Sequence, residues 1–98
     1  MNWYSKIKLA ETAALGIDDS KKSTDEIMLR QAIIAEYDAI NLYEQMAHST
    51  NNEKFKKVLL DISKEEKVHI GEFELLLDQL DTEHEDSVIE GKDEAGKI

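Results

Sequence analysis

Apolar residues recur along two long stretches of this chain at alternating steps of four and three. In the first, Leu29, Ile33, Ile40 and Ala47 share one stripe with Glu36 and Tyr43. A flanking stripe of Met28, Ala32, Ala35, Ala39, Leu42 and Met46 widens the apolar face. In the second, Phe55, Leu59, Ile62, Phe73, Leu76 and Leu80 keep the same rhythm, with Glu66 and His69 between them. This is the period of an amphipathic helix in a bundle or coiled coil. Each stretch predicts a helix about 40 Å long at 1.5 Å per residue. No strand-like alternation and no glycine-rich phosphate loop interrupt the pattern.

Capping signals set the expected boundaries. Ser23 and Glu26 form a Ser-x-x-Glu capping box ahead of the first helix, which runs to about His48. "STNNE" breaks it, and Thr50 with Glu53 forms a second box for a helix ending near Leu80. "TEHE" at 82–85 is expected to cap a last short helix that stops near Gly91. Residues 2–14 are expected to form another short helix, with Trp3, Ile7, Ala10 and Ala14 on one face and Gly16 ending it. The organisation expected is an N-terminal extension over 1–22, a helical hairpin over 23–81 and an acidic tail over 82–98.

So short a connection makes the two long helices an antiparallel hairpin. Two helices alone cannot bury so wide an apolar face, and small chains in that position use metals or oligomerisation. The expected architecture is all-α: half of a four-helix bundle, completed by a second copy of the chain.

Composition narrows the chemistry. The 98 residues include no Cys, which excludes disulfides, Cys-ligated zinc, rubredoxin-type iron and thiol catalysis. No Pro, four Gly, 41% apolar and 35% charged residues suit long helices. No apolar run approaches the roughly 18–20 residues of a membrane span, and "MNWYSKIKLAE" lacks a signal-peptide core. A cytoplasmic protein is the simplest expectation. The formal charge of −10 disfavours nucleic acid as a partner and raises the local concentration of cations.

The polar residues in the apolar seam then stand out. A buried charge without a partner is heavily penalised, so Glu36, Glu66 and His69 must meet one another or something that satisfies them. Glu66 and His69 form Glu-x-x-His, one turn apart on one face. Glu36 lies 15 residues before Asn51 and Glu66 lies 15 after it, so the hairpin brings them level. A di-iron centre in a four-helix bundle takes a Glu from each of two helices and Glu-x-x-His from each of the others. This chain supplies half of that set, and a twofold-related copy completes it. Carboxylates with few imidazoles favour Fe or Mn over a structural zinc site, although Zn or Co can bind the same donors. The alternative reading is that the polar seam residues only fix register or pairing.

The stretch "LRQAIIAEYDAINLYEQMAHSTNNEKFKKVLLDISKEEKVHIGEFELLL" closely resembles the encapsulated ferritins, short two-helix members of the ferritin-like superfamily. The likeness covers residues 26–81, and "AEYDAINLYEQ" together with "EEKVHIGEF" is its specific part. It implies a ferroxidase whose di-iron centre forms only between two chains. It also implies dimers assembled into a ring, typically of ten chains, inside an encapsulin shell in the cytoplasm. By this resemblance Glu36, Glu66 and His69 are iron ligands, and Tyr43 is an aromatic residue beside the centre. Asp38 matches an acidic position tied to metal entry, while Glu65 is expected to point off the seam.

Residues 1–22 have no counterpart in that family, and the acidic tail from Asp78 to Glu94 carries no cargo-loading peptide. That leaves open a protein outside the shell or one joined to the shell by fusion. His48 suits a helix C-terminus and His84 a solvated tail, so neither is expected to act. Two other readings compete: a rubrerythrin-like peroxide reductase on the same centre, and a non-enzymatic helical oligomerisation module.

Overall fold

The computed structural model describes residues 24–98. The expected helix over 2–14 and the cap at Ser23 lie outside that range. Three helices follow in order: α1, Asp25–Ser49; α2, Glu53–Leu80; and α3, Thr82–Gly96. Every described element is helical, and none is long and apolar enough to cross a membrane.

The caps differ from the expected ones by small steps. Thr24 is the N-cap of α1, and its hydroxyl accepts from the Ile27 N–H at 3.3 Å. At the turn, the Thr50 N–H closes α1 onto the Met46 carbonyl at 3.0 Å. The Thr50 hydroxyl accepts from the Asn52 N–H at 3.1 Å and so shapes the turn instead of capping α2. Asn52 takes the cap, accepting from the Phe55 N–H at 3.0 Å. An Asn side chain suits that role, since its carbonyl oxygen reaches the third helical amide. Glu53 and the Asp25–Glu26 pair place negative charge at the two helix N-termini, where the macrodipole favours it.

A single residue, Asp81, joins α2 to α3. Its N–H donates to the Leu77 carbonyl at 2.8 Å, and its Oδ1 accepts from the His84 N–H at 3.0 Å. Asp81, not Thr82, is therefore the cap of α3. The helix also continues through Gly91 to Gly96, contrary to the expected stop. A lone glycine inside a helix costs only about 1 kcal/mol against Ala. The next residues, Lys92, Asp93, Glu94 and Ala95, bring neither proline nor a turn motif to end it.

The hairpin core contains Ala35, Ala39, Ile40, Tyr43 and Ala47 from α1, against Leu59, Ile70 and Leu77 from α2. Its tightest cluster is Ala39, Tyr43, Ala47 and Leu59, with Leu42 and Ile62 packed alongside. On α2 the buried stripe is Leu59, Ser63, Glu66, Ile70 and Leu77, rotated from the expected one. Phe55, Leu76 and Leu80 of the expected stripe are 44%, 48% and 50% exposed. The reason is geometric: one helix partner covers only one side of an apolar face wide enough for two. The uncovered side continues across both helices, where Met28, Leu29 and Ala32 face Phe73, Leu76 and Leu80 across an open groove. The chain thus has the form of half a bundle.

On the opposite side, α3 buries no residue fully. Val88 and Ile89 share a groove with Ile33, Ile34 and Leu77, and Arg30 Nη1 reaches Asp81 Oδ2 at 3.5 Å.

Candidate metal centre

Glu36 stands near the middle of α1, and Glu66 and His69 stand one turn apart near the middle of α2. The antiparallel hairpin brings the three together, as counting outward from the turn predicts. His69 Nδ1 lies 3.6 Å from Glu36 Oε2 and 3.6 Å from Glu66 Oε2. One ligand atom from each residue lies within 4.8 Å of the others. Among the described residues, no other group of three His, Asp or Glu side chains meets in this way.

Burial divides the trio. Glu36 and Glu66 are 5% and 6% exposed, whereas the His69 side chain is 47% exposed. The carboxylates sit at the floor of the seam and the imidazole stands at its rim. Glu36 Oε2 is buried and accepts no hydrogen bond. The 3.6 Å separations are too long for hydrogen bonds, so His69 satisfies neither carboxylate in this way. An unsatisfied buried acceptor is costly. Two buried carboxylates, one of them with such an oxygen, beside one imidazole form a negative pocket whose natural complement is a cation.

The donor chemistry fits a transition metal. Two hard oxygens and one nitrogen suit iron or manganese. Three protein ligands would leave a four- to six-coordinate ion unsaturated, and His69 is exposed on its side of the site. Phe73 and Leu76, one and two turns on from His69 along α2, line the uncovered groove with Met28 and Ala32.

The other expected residues fall in different places. Tyr43 is buried, two turns along from Glu36, within the cluster of Ala39, Ala47 and Leu59. Asp38 is half-buried and is not a member of the three-residue group. Glu65 is exposed, as expected for a residue off the seam. His48 is exposed in the last turn of α1. His84 is half-buried at the start of α3, not in a solvated tail. Ser63 lies off the expected stripe of Leu59, Ile62, Glu66 and His69. It is 2% exposed with no hydrogen-bond partner for its Oγ, one turn before Glu66. Its place on the Leu59–Glu66–Ile70 stripe is the signal that could have found it.

A sequence profile of the rubrerythrin family matches residues 28–96. A ferritin-like–encapsulin shell fusion protein of Pyrococcus furiosus is 55% identical over 67 residues, which are 66% of this chain and 19% of that protein. The chain therefore spans about a fifth of the length of this relative. The crystal structure of an encapsulated ferritin domain from Pyrococcus furiosus superposes with a TM-score of 0.75 at 47% identity, covering 80% of this chain and 83% of that one. With two buried Glu and one His gathered on a half-bundle, and with matches spanning most of the chain, this protein belongs to the rubrerythrin family and is similar to encapsulated ferritins.

Proposed function

We propose that this chain is a ferroxidase that oxidises Fe²⁺ with O₂ at a di-iron centre shared between two copies. The observation that carries the reading is the incomplete donor set. Glu36, Glu66 and His69 are gathered within 4.8 Å, and Ala32 and Phe73, one turn from Glu36 and His69 on their helices, line an uncovered apolar groove. A second copy laid on that face by twofold symmetry brings three more donors, giving four carboxylates and two imidazoles. It also covers Met28, Leu76 and Leu80, which are exposed in the single chain, and the half-buried Phe73 beside them.

In this reading Glu36 and Glu66 bind the metals and carry the bridging role. The His69 of each copy closes one end. The buried carboxylates stabilise Fe³⁺ over Fe²⁺, because each added positive charge interacts with fixed negative charge in a low-dielectric seam. Two Fe²⁺ give one electron each to one O₂, which takes up two protons and leaves as hydrogen peroxide. Tyr43 shapes the apolar wall two turns along α1 from Glu36, and Asp38, two residues from Glu36 and outside the three-residue group, is assigned as an acidic way-point for incoming Fe²⁺ on its path to the centre.

The physiological role that follows is iron storage or detoxification. The relative named as a fusion to an encapsulin shell protein supports an equivalent placement for this chain, as cargo or as a fused domain within a cytoplasmic nanocompartment. Likeness to that domain and to the encapsulated ferritin supports further assembly of the metal-sharing pairs, with a ring of ten chains as the specific expectation. A second reading comes from the family description itself: a rubrerythrin-like centre that reduces peroxide. It requires electrons from another protein, since this chain has no Cys to hold a rubredoxin-type iron.

One experiment distinguishes these. Fe²⁺ is added in air and the absorbance of ferric product is followed for the wild type, Glu66→Ala and His69→Ala. The ferroxidase reading expects fast oxidation in the wild type and rates near the protein-free background in both variants. Equal rates in all three remove it. Hydrogen peroxide consumption coupled to an added reductant, faster than O₂ consumption, selects the second reading.

A further inference from the structure

Among the described residues the buried polar side chains are Glu36, Glu66 and Ser63. The first two belong to the metal site, and the third has no role in it so far. Ser63 is 2% exposed, and its Oγ is enclosed without a hydrogen-bond partner.

Size alone does not explain a serine here. Ala39 lies level with it across the hairpin, 12 residues before Asn51 where Ser63 lies 12 after, and is itself fully buried. This layer of the seam is therefore built of small side chains. Alanine would meet that need with better helix propensity and no polar atom to desolvate. A helical serine can offer its hydroxyl to the carbonyl one turn back, and Ser63 does not. What needs a reason is the hydroxyl, a donor held in the seam with nothing to receive it.

The surroundings narrow the acceptor. Ala39 has no polar side chain, and on the buried stripe of Leu59, Ser63, Glu66, Ile70 and Leu77 the other polar group is the Glu66 carboxylate. Side chains on a helix lean toward its N-terminus, so Glu66 leans back over the turn that carries Ser63. The last torsion of a glutamate is broad and a serine hydroxyl rotates freely, so the two groups can meet at little cost. Glu66 Oε2 lies 3.6 Å from His69 Nδ1, at the metal site, which leaves the second oxygen of the carboxylate for another partner.

We propose that Ser63 is a positioning residue for the metal site, its Oγ–H donating to the Glu66 carboxylate when that carboxylate binds a cation. The bond fixes the last torsion of Glu66, so that one oxygen is presented to the metal while the protein holds the other. A hydroxyl on a carboxylate makes a short, strong bond. Partners of this kind set metal affinity by about 10- to 100-fold. The hydroxyl is thus unused in the metal-free fold and used in the loaded one. The proposal rests on the metal-binding part of the reading above and not on the oxidation of iron.

The test is Co²⁺ binding by the full chain, followed by visible absorption under nitrogen. Ser63→Ala is expected to raise the Kd about tenfold or more with helicity by circular dichroism unchanged. Ser63→Thr keeps the donor and is expected to bind within about threefold of the wild type. Ser63→Val has the shape of that variant without the hydroxyl, and is expected to bind as weakly as Ser63→Ala. Equal affinity in the wild type and Ser63→Ala overturns the proposal. So does an equal loss in the threonine and valine variants, which would follow packing and not the donor.

A crystal structure of the Mn²⁺-loaded wild type reads the bond without any variant. Ser63 Oγ is expected about 2.5–2.7 Å from a Glu66 carboxylate oxygen. An Oγ still without an acceptor, or turned to the Leu59 carbonyl, overturns the proposal. Hydroxyl-dependent Co²⁺ binding beside background rates of Fe²⁺ oxidation removes the ferroxidase reading and leaves this one. Fast oxidation with Co²⁺ binding indifferent to Ser63 does the reverse, and a wild type that binds no Co²⁺ removes both.

Discussion

Glu36 and His69 reach each other across the hairpin, Nδ1 to Oε2 at 3.6 Å, with the carboxylate buried and the imidazole half open to solvent. The pair is too far apart for a hydrogen bond, and Glu36 Oε2 has no other hydrogen-bond partner. With Glu66 also 3.6 Å from the same nitrogen, two buried acceptors share one imidazole. The seam is thus locally unfavourable for the empty fold and favourable for a bound cation. Binding sites held in this way exchange stability for function.

Glu36→Gln tests that exchange by keeping shape and removing charge. In chelator the variant is expected to be more stable than the wild type by about 1 kcal/mol, the cost of one unsatisfied buried acceptor. For a domain of this size that is roughly 4–8 °C in Tm. With excess Fe²⁺ under nitrogen the order reverses. The wild type gains about 2.7 kcal/mol at a hundred times its Kd, and the variant gains little. Thermal melts with and without metal give both signs. A variant less stable than wild type in chelator shows that the carboxylates are satisfied in the metal-free protein.

Much of this arrangement was legible in the chain. Steps of four and three marked α1 and α2 to within a few residues, and counting 15 positions on either side of Asn51 set Glu36 level with Glu66. The packing seam of α2 was less legible. Phe55, Leu76 and Leu80 belong to the same apolar face as Leu59, and periodicity cannot say which part of a wide face meets the neighbouring helix. Ser63 is not legible in this way, because a small polar residue carries no hydropathy signal even where it is buried. The caps at Asn52 and Asp81 escaped because Thr50 and Thr82 offered equally good local chemistry. Only the path of the chain decided which oxygen reached the free amides.

Leu76 separates the second copy from the ligands themselves. It lines the open groove with Met28 and Phe73, is 48% exposed and binds no metal. Leu76→Glu is therefore expected to leave helicity and the three donors unchanged. If the centre is shared, it lowers the initial rate of Fe²⁺ oxidation at least tenfold, a loss of about 1.4 kcal/mol or more in transition-state stabilisation. Light scattering on the eluting protein is expected to show that metal no longer increases its mass. Full activity in a variant that stays monomeric places the whole centre within one chain.

Asp81 joins α3 to the hairpin through two interactions, the cap on the His84 N–H and the 3.5 Å pair with Arg30. An N-cap is worth about 1 kcal/mol, and a partly exposed ion pair less. A 15-residue helix with no fully buried side chain is close to the length at which helices fail alone. Asp81→Ala is expected to fray α3, read as faster amide hydrogen exchange over residues 82–96 with α1 and α2 still protected. Asp81→Asn keeps an N-cap oxygen and removes the charge, so it is expected to retain most of that protection. If both variants exchange alike, the Arg30 pair outweighs the cap.

Ser63 offers the reverse case, a buried polar atom that the fold does not use. Its hydroxyl is 2% accessible by residue and lacks a hydrogen-bond partner, even though a helical serine can bond back to the carbonyl four residues earlier. Ser63→Ala removes that hydroxyl and substitutes the best helix former. Stabilisation of about 0.5–1.5 kcal/mol is expected in urea titration, with an unchanged m-value. Ser63→Leu is expected to cost about 1–3 kcal/mol, because the site is already closed and extra methylenes must displace neighbours. If Ser63→Ala instead destabilises the metal-free chain by more than about 1 kcal/mol, the hydroxyl has a partner in solution, and the one-turn spacing to Glu66 makes that carboxylate the first to examine.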